Sequence, residues 1–75
     1  MWFTSLDDNS SPIRVYIFRE DISDIRSGFN PDEYDGCYSV VIKKNEEEVW
    51  ILEDENELNA IIAEERRKDI LFLHQ

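Results

Sequence analysis

Cys37-Tyr38-Ser39-Val40-Val41-Ile42-Lys43-Lys44-Asn45-Glu46-Glu47-Glu48-Val49-Trp50-Ile51-Leu52 is the stretch that decides the fold. Tyr38, Val40 and Ile42 alternate with Ser39, Val41 and Lys43, a polar run interrupts, and a β-branched and aromatic run resumes at Val49. Alternation of period two, a polar turn and a second apolar run read as a β-hairpin. Immediately downstream, Asp54-Glu55-Asn56-Glu57 has the spacing of a capping box, with Asp54 as cap and Glu57 at the third helical position. Leu58, Ile61 and Ile62 then share one face, and Arg66, Arg67 and Lys68 suit the negative end of a helix dipole. A helix over residues 55–67 follows. Ile70-Leu71-Phe72-Leu73 is nearly continuous in apolar character, which predicts a central strand over 70–74, parallel to 49–52 across the helical crossover.

Upstream, Ile13-Arg14-Val15-Tyr16-Ile17-Phe18 follows the breaker run Asp7-Asp8-Asn9-Ser10-Ser11-Pro12 and reads as a strand entered from a loop. Met1 to Leu6 is apolar enough to pair with it as a hairpin, although a loop of this length does not by itself fix the register. Asp21 can cap a short helical turn over 21–27, with Ile22 and Ile25 three apart and Gly28 as the stop. Phe29-Asn30-Pro31-Asp32-Glu33-Tyr34-Asp35-Gly36 is a loop, since Asn-Pro and Asp-Gly favour turns. The expected architecture is one α+β domain over residues 1–75: a mainly antiparallel sheet of three to five strands with one amphipathic helix on one face. Leu58, Ile61 and Ile62 against Val15, Ile17, Val40, Ile42, Ile51 and Phe72 form the expected core. Tyr16, Phe18, Val41 and Trp50 fall on the opposite sheet face, either a partner surface or a minor core beneath the N-terminal segment and the short helical turn.

Eighteen acidic residues stand against eight basic ones, a formal charge of -10 on 75 residues. A folded chain of 9.0 kDa is expected to expose roughly 4,900 Å², or about one uncompensated negative charge per 490 Å². Such a field attracts cationic surfaces and repels nucleic acid and anionic membrane. The single cysteine, Cys37, cannot form an internal disulfide, and the first residues lack the basic and apolar regions of a signal peptide. Both features predict a soluble protein of the cytoplasm.

Chemistry-bearing constellations are sparse. His74 and Cys37 are the only residues of their types, with no motif linking them. Asn30, Asp32, Glu33, Asp35 and Gly36 resemble an EF-hand loop superficially, but with Gly36 at the sixth position Pro31 falls at the first and Ile42 at the twelfth, where carboxylate ligands are required. Zinc spacing, a phosphate-binding glycine loop and a dinucleotide fingerprint do not occur, so no cofactor, metal or catalytic residue is expected.

Acidic clusters remain, at Asp7-Asp8, Glu20-Asp21-Asp24, Asp32-Glu33-Asp35, Glu46-Glu47-Glu48 and Glu53-Asp54-Glu55-Glu57. If several share a face, they present carboxylates at spacings like those of duplex phosphates, with aromatic rings between. Such a surface can occupy a Lys/Arg-rich groove made for nucleic acid and gain the same counterion release. The expected partner-binding residues are Asp32, Glu33, Asp35, Glu46, Glu47, Glu48, Glu53 and Glu55, with Tyr34 and Trp50 as aromatic anchors. Small size, acidity and the lack of active-site motifs resemble the general style of phage-encoded anti-defence proteins, including anti-CRISPR and anti-restriction inhibitors, which would act in the host cytoplasm. That resemblance implies a non-catalytic inhibitor of a nucleic-acid-handling protein that does not itself bind nucleic acid. The alternative is a small interaction module, such as an antitoxin, immunity protein or small subunit, that binds through an apolar sheet face or edge strand; homo-oligomerisation is compatible with either.

Overall fold

The computed structural model describes the backbone of residues 1–73 and the side chains of residues 1–67. Five antiparallel strands, a 3-10 turn and one helix make a small α+β fold. Strands β1 (Trp2–Leu6) and β2 (Pro12–Tyr16) form a two-stranded sheet; β3 (Ile22–Ser27), β4 (Ser39–Lys43) and β5 (Glu48–Ile51) form a second sheet in the order β3-β4-β5. The two meet where β1 reaches the end of β5. There the Leu52 amide donates to the Thr4 carbonyl at 2.8 Å and the Ser5 hydroxyl to the Trp50 carbonyl at 2.7 Å.

The β1–β2 hairpin forms as its composition predicts, with Phe3 opposite Val15 and Leu6 opposite Pro12. Its long loop is held by one side chain. The Asp7 carboxylate accepts from the Asn9 and Ser11 amides, both at 2.9 Å, and the Asp7 amide donates to the Ser11 carbonyl. A short acidic side chain thus folds the loop on itself and closes the register that loop length alone leaves open.

Residues 22–27 form a strand, and the helical turn lies one step earlier, at Arg19–Asp21. Ile22 and Ile25 are three apart, the helical spacing that suggested a turn over 21–27. In the strand they still both pack on the core, because the register shifts between Ile22 and Asp24. A bulge inserts one extra residue, reverses the side-chain alternation and brings positions three apart onto one face.

The hairpin of β4 and β5 is as the alternation predicts, and Ile51 and Trp50 take the expected faces, but the parity of β4 is opposite. Val41 is paired with Val49 and lies in the core with Ile51, while Val40 is paired with Trp50 on the other face. Val40 is itself buried there and Ile42 is half-buried, so on β4 a one-residue difference in parity, and not a difference in hydrophobicity, separates the observed core residue from the expected ones. The core is Met1, Phe3, Ile17, Val41, Ile51 and Leu58, with Val15, Ile22, Ile25, Val49 and Ile61 packed around it.

Helix α1 (Glu55–Leu73) starts as the capping box predicts: the Asp54 carboxylate accepts from the Glu57 amide at 2.9 Å. A cap of this kind contributes about 1 kcal/mol. Helix α1 docks on the core through Leu58 and Ile61, and its third turn places Glu64 and Glu65 beside Trp2 of β1 and Arg14 of β2. It also continues through the predicted strand at 70–73. No glycine or proline separates Arg67 from Ile70, and Arg67-Lys68-Asp69 propagates a helix that has already nucleated. Phe72, placed above in the expected core, and His74, for which no linking motif was found, lie outside the residues whose side chains are described. The protein exposes 5610 Å², more than the value expected for a compact chain of this mass, and its extents are 44 × 26 × 19 Å.

Candidate functional site: an acidic cleft with an aromatic wall

The turn after β1 and the loop before β4 face each other across the open side of β5. Between them lies a cleft of about 420 Å³ lined by Asp7, Asp8, Glu33, Tyr34, Asp35 and Trp50, together with Ser5, Leu6, Ser10 and Cys37. Four carboxylates and no base line it.

Its aromatic wall is built from two elements. Trp50 sits on the face of β5 away from the core, because Ile51 and Val49 take the core face. Tyr34 stacks on it at a centroid distance of 4.7 Å and an interplanar angle of 15°, and Phe29 meets both rings edge-on at 5.0 Å. These three rings lie on the side of the three-stranded sheet away from the core, where Val40, paired with Trp50, is buried. The loop 29–36 supplies Phe29 and Tyr34 to this group.

The loop owes its shape to hydrogen bonds within it. The Asn30 carboxamide oxygen accepts from the Asp32 amide, the Gly36 amide donates to the Pro31 carbonyl at 2.7 Å, and the Cys37 amide donates to the Tyr34 carbonyl. Asp35 and Gly36 both take positive φ, 55° and 91°, the left-handed pair that turns the chain back toward β4. This reversal exposes Glu33 and Asp35 beside the rings.

Cys37 is 3% exposed at the base of this wall. Burial pushes its thiol above the ordinary range, and the Asp35 carboxylate pushes it the same way. The stability contribution tied to this shift is present below the ordinary thiol pKa and is lost as pH rises from that value through the raised one. At pH 8 we expect a disulfide reagent such as DTNB to label the native chain about tenfold or more slowly than the urea-unfolded chain. Equal rates would show that the wall does not cover the thiol.

The remaining predicted site residues are distributed elsewhere. Asp32 is exposed on the same loop, and Glu55 is exposed at the start of α1. Glu46, Glu47 and Glu48 sit at the β4–β5 turn, where Glu47 pairs with Lys43 at 3.2 Å and the adjoining concavity is lined by Lys43 and Lys44 as well as Asp21. They share that end of the molecule with bases.

Glu53 is not a surface carboxylate. At 5% exposure it accepts from the Thr4 amide with both oxygens, at 2.8 and 3.0 Å, and its Oε2 is 3.8 Å from Arg14. Its backbone carbonyl accepts from the buried Ser39 hydroxyl at 2.6 Å. Glu53 therefore joins the two sheets and the entry to α1, and it is withdrawn from the set of partner-binding residues. Glu53→Ala should cost about 2 kcal/mol in urea unfolding, because it leaves a half-buried amide without its acceptor. Glu53→Gln, which keeps one acceptor oxygen, should cost less.

Asp7 and Asp8 are an acidic pair in a breaker run by sequence alone; they reach the site because β1 pairs with β2 and meets β5, which sets the 7–11 turn near Trp50.

No protein family, curated protein or solved structure matches this chain. What the cleft can do therefore rests on its own geometry. No group of His, Cys, Asp and Glu side chains suited to hold a metal ion occurs among the described residues, and no described helix is long and apolar enough to cross a membrane. A second aromatic group lies outside the cleft, with Trp2, Tyr16 and Phe18 in edge-to-face contact at 5.2 and 5.1 Å on the outer face of β1 and β2.

Proposed function

We propose that this chain is a non-catalytic acidic binding protein that docks on the Lys/Arg-rich surface of a nucleic-acid-handling partner and occupies it by charge mimicry. One observation carries the reading: Asp7, Asp8, Glu33 and Asp35 line a single cleft whose wall is the Tyr34–Trp50 stack. Carboxylates supply the field that a basic groove recognises, and the rings offer a face to a guanidinium or ammonium group. Asp7 is partly committed to its own turn, so Asp8, Glu33 and Asp35 carry most of the exposed charge. On this reading the protein works in the compartment of its partner, the cytoplasm, and binds no nucleic acid itself.

The test uses the tagged chain as bait in a cell lysate at about 100 mM salt, with stepwise elution to about 1 M, beside a Glu33→Lys/Asp35→Lys bait. A basic nucleic-acid-handling protein released in the early steps, and absent from the variant, is the expected result. Proteins held equally by both baits to the end of the gradient would instead point to an apolar surface. The exposed Trp2-Tyr16-Phe18 ladder specifically favours that second reading, an interaction module.

A further inference from the structure

The carboxylates of the cleft line a concavity. Its volume of about 420 Å³ lies at the small end of the range for ligand pockets, about 300–1,000 Å³. A concave acidic surface takes in what projects from a partner, and this one has room for the end of a long side chain. Its wall makes a second demand on that side chain. Tyr34 and Trp50 stack at 4.7 Å and 15°, Phe29 braces both rings edge-on at 5.0 Å, and Tyr34 remains 36% exposed. The rings are oriented before anything binds, and they present flat, electron-rich surface inside a pocket that is otherwise anionic. A lysine ammonium is a compact, strongly hydrated point charge and gains little from such a wall. A guanidinium is planar and weakly hydrated, and it can stack on a ring while its N–H groups meet carboxylates at the edge of its plane.

We propose that the cleft receives one arginine side chain projecting from the partner's basic surface, its guanidinium against the Tyr34–Trp50 wall and its N–H groups on the carboxylates of Asp8, Glu33 and Asp35, and that it selects arginine over lysine. Glu33 and Asp35 flank Tyr34 in the chain, and Asp8 comes from the opposite turn, so the cation is met from two sides. The inference rests on the proposed function, because it takes the partner to be basic. It adds what that partner must show, an arginine that stands clear of its own surface.

NMR titration of the isotope-labelled chain with the capped tripeptides Gly-Arg-Gly, Gly-Lys-Gly and Gly-citrulline-Gly tests this, since citrulline keeps the shape of arginine without its charge. The Trp50 indole signal reports on the cleft, and that of Trp2, on the outer face of β1 and β2, is the internal control. The arginine peptide should move the Trp50 signal and the amides of residues 33–37, and bind about tenfold or more tighter than the lysine peptide. The citrulline peptide should leave them in place. Glu33→Gln/Asp35→Asn, which keeps the ring wall, should abolish the shifts at the same concentrations. Tyr34→Leu, which keeps the carboxylates, should bring arginine down to the affinity of lysine, with the dispersion of the remaining signals showing that each variant is folded. Equal binding of the arginine and lysine peptides overturns the selection, and an arginine peptide that moves Trp2 and not Trp50, or neither, overturns the site. Either result leaves charge mimicry standing where the wild-type bait still releases a basic partner in the early salt steps. Loss of that capture with the arginine peptide still bound overturns charge mimicry alone.

Discussion

Phe3→Ala is expected to leave most of the chain unfolded at 37 °C. Phe3 is fully buried and sits at the centre of the core, opposite Val15 and packed with Met1, Ile17, Val41, Ile51 and Leu58. Removing a buried phenylalanine side chain costs about 3–5 kcal/mol, part in lost transfer free energy and part in the cavity left behind. A domain this small has a total stability of only about 5 kcal/mol, because it buries a small fraction of its surface. Phe18 provides the contrast. It is 56% exposed and touches Tyr16 edge-on, so Phe18→Ala should cost about 1 kcal/mol or less. Thermal melts followed by circular dichroism read both. Similar losses from the two variants would mean that the core does not lie between β1 and β4.

Glu33→Lys/Asp35→Lys is expected to remove binding to a basic partner while leaving the fold intact. Both side chains are exposed and neither has an ion-pair partner among the described residues, so the structural cost is confined to about 1 kcal/mol for placing Lys at the left-handed φ of Asp35. The change in charge is +4, concentrated at the mouth of the cleft. Close charge pairs at an interface couple by about 1.5 kcal/mol or more each, so reversal of two should weaken affinity by about a hundredfold or more at low salt. The loss should shrink as salt rises toward about 0.5 M, where screening weakens the wild type as well. Titration calorimetry at two salt concentrations, with unfolding curves for both proteins, separates lost binding from lost fold. A reversal of the same size at Glu46 and Glu48 should have a smaller effect, since Lys43 and Lys44 share that turn.

The hairpins and the helix start were legible because each carries a local signal: alternation at 38–42, a breaker run at 7–12, and a cap at Asp54 followed by Leu58. The errors arose where a tertiary constraint overrides a local pattern. Ile22 and Ile25 have helical spacing, but a bulge places them on one face of a strand. Val40 and Val41 are equally apolar, and only the register against Val49 and Trp50 decides which joins the core. Ile70–Leu73 has strand composition, but it follows helix formers without a stop signal and stays helical.

The candidate site was legible in its parts and not in its assembly. Glu33, Tyr34, Asp35 and Trp50 were all identified as residue types suited to an interface, and the structure gathers them in one cleft. Glu53 shows the converse. In sequence it is one more member of an acidic run, yet its carboxylate is committed to the Thr4 amide inside the protein. A charge count cannot tell a solvated carboxylate from one that holds two sheets together.

Displacement of nucleic acid is the most direct test of charge mimicry. The basic partner recovered with the wild-type bait is loaded with a fluorescently labelled duplex or single strand that it binds, and the chain is titrated in at about 100 mM salt. The account predicts that anisotropy falls to the value of free nucleic acid near one equivalent, and that Glu33→Lys/Asp35→Lys fails to displace it. Anisotropy that holds or rises, as the chain binds alongside the nucleic acid, would contradict it.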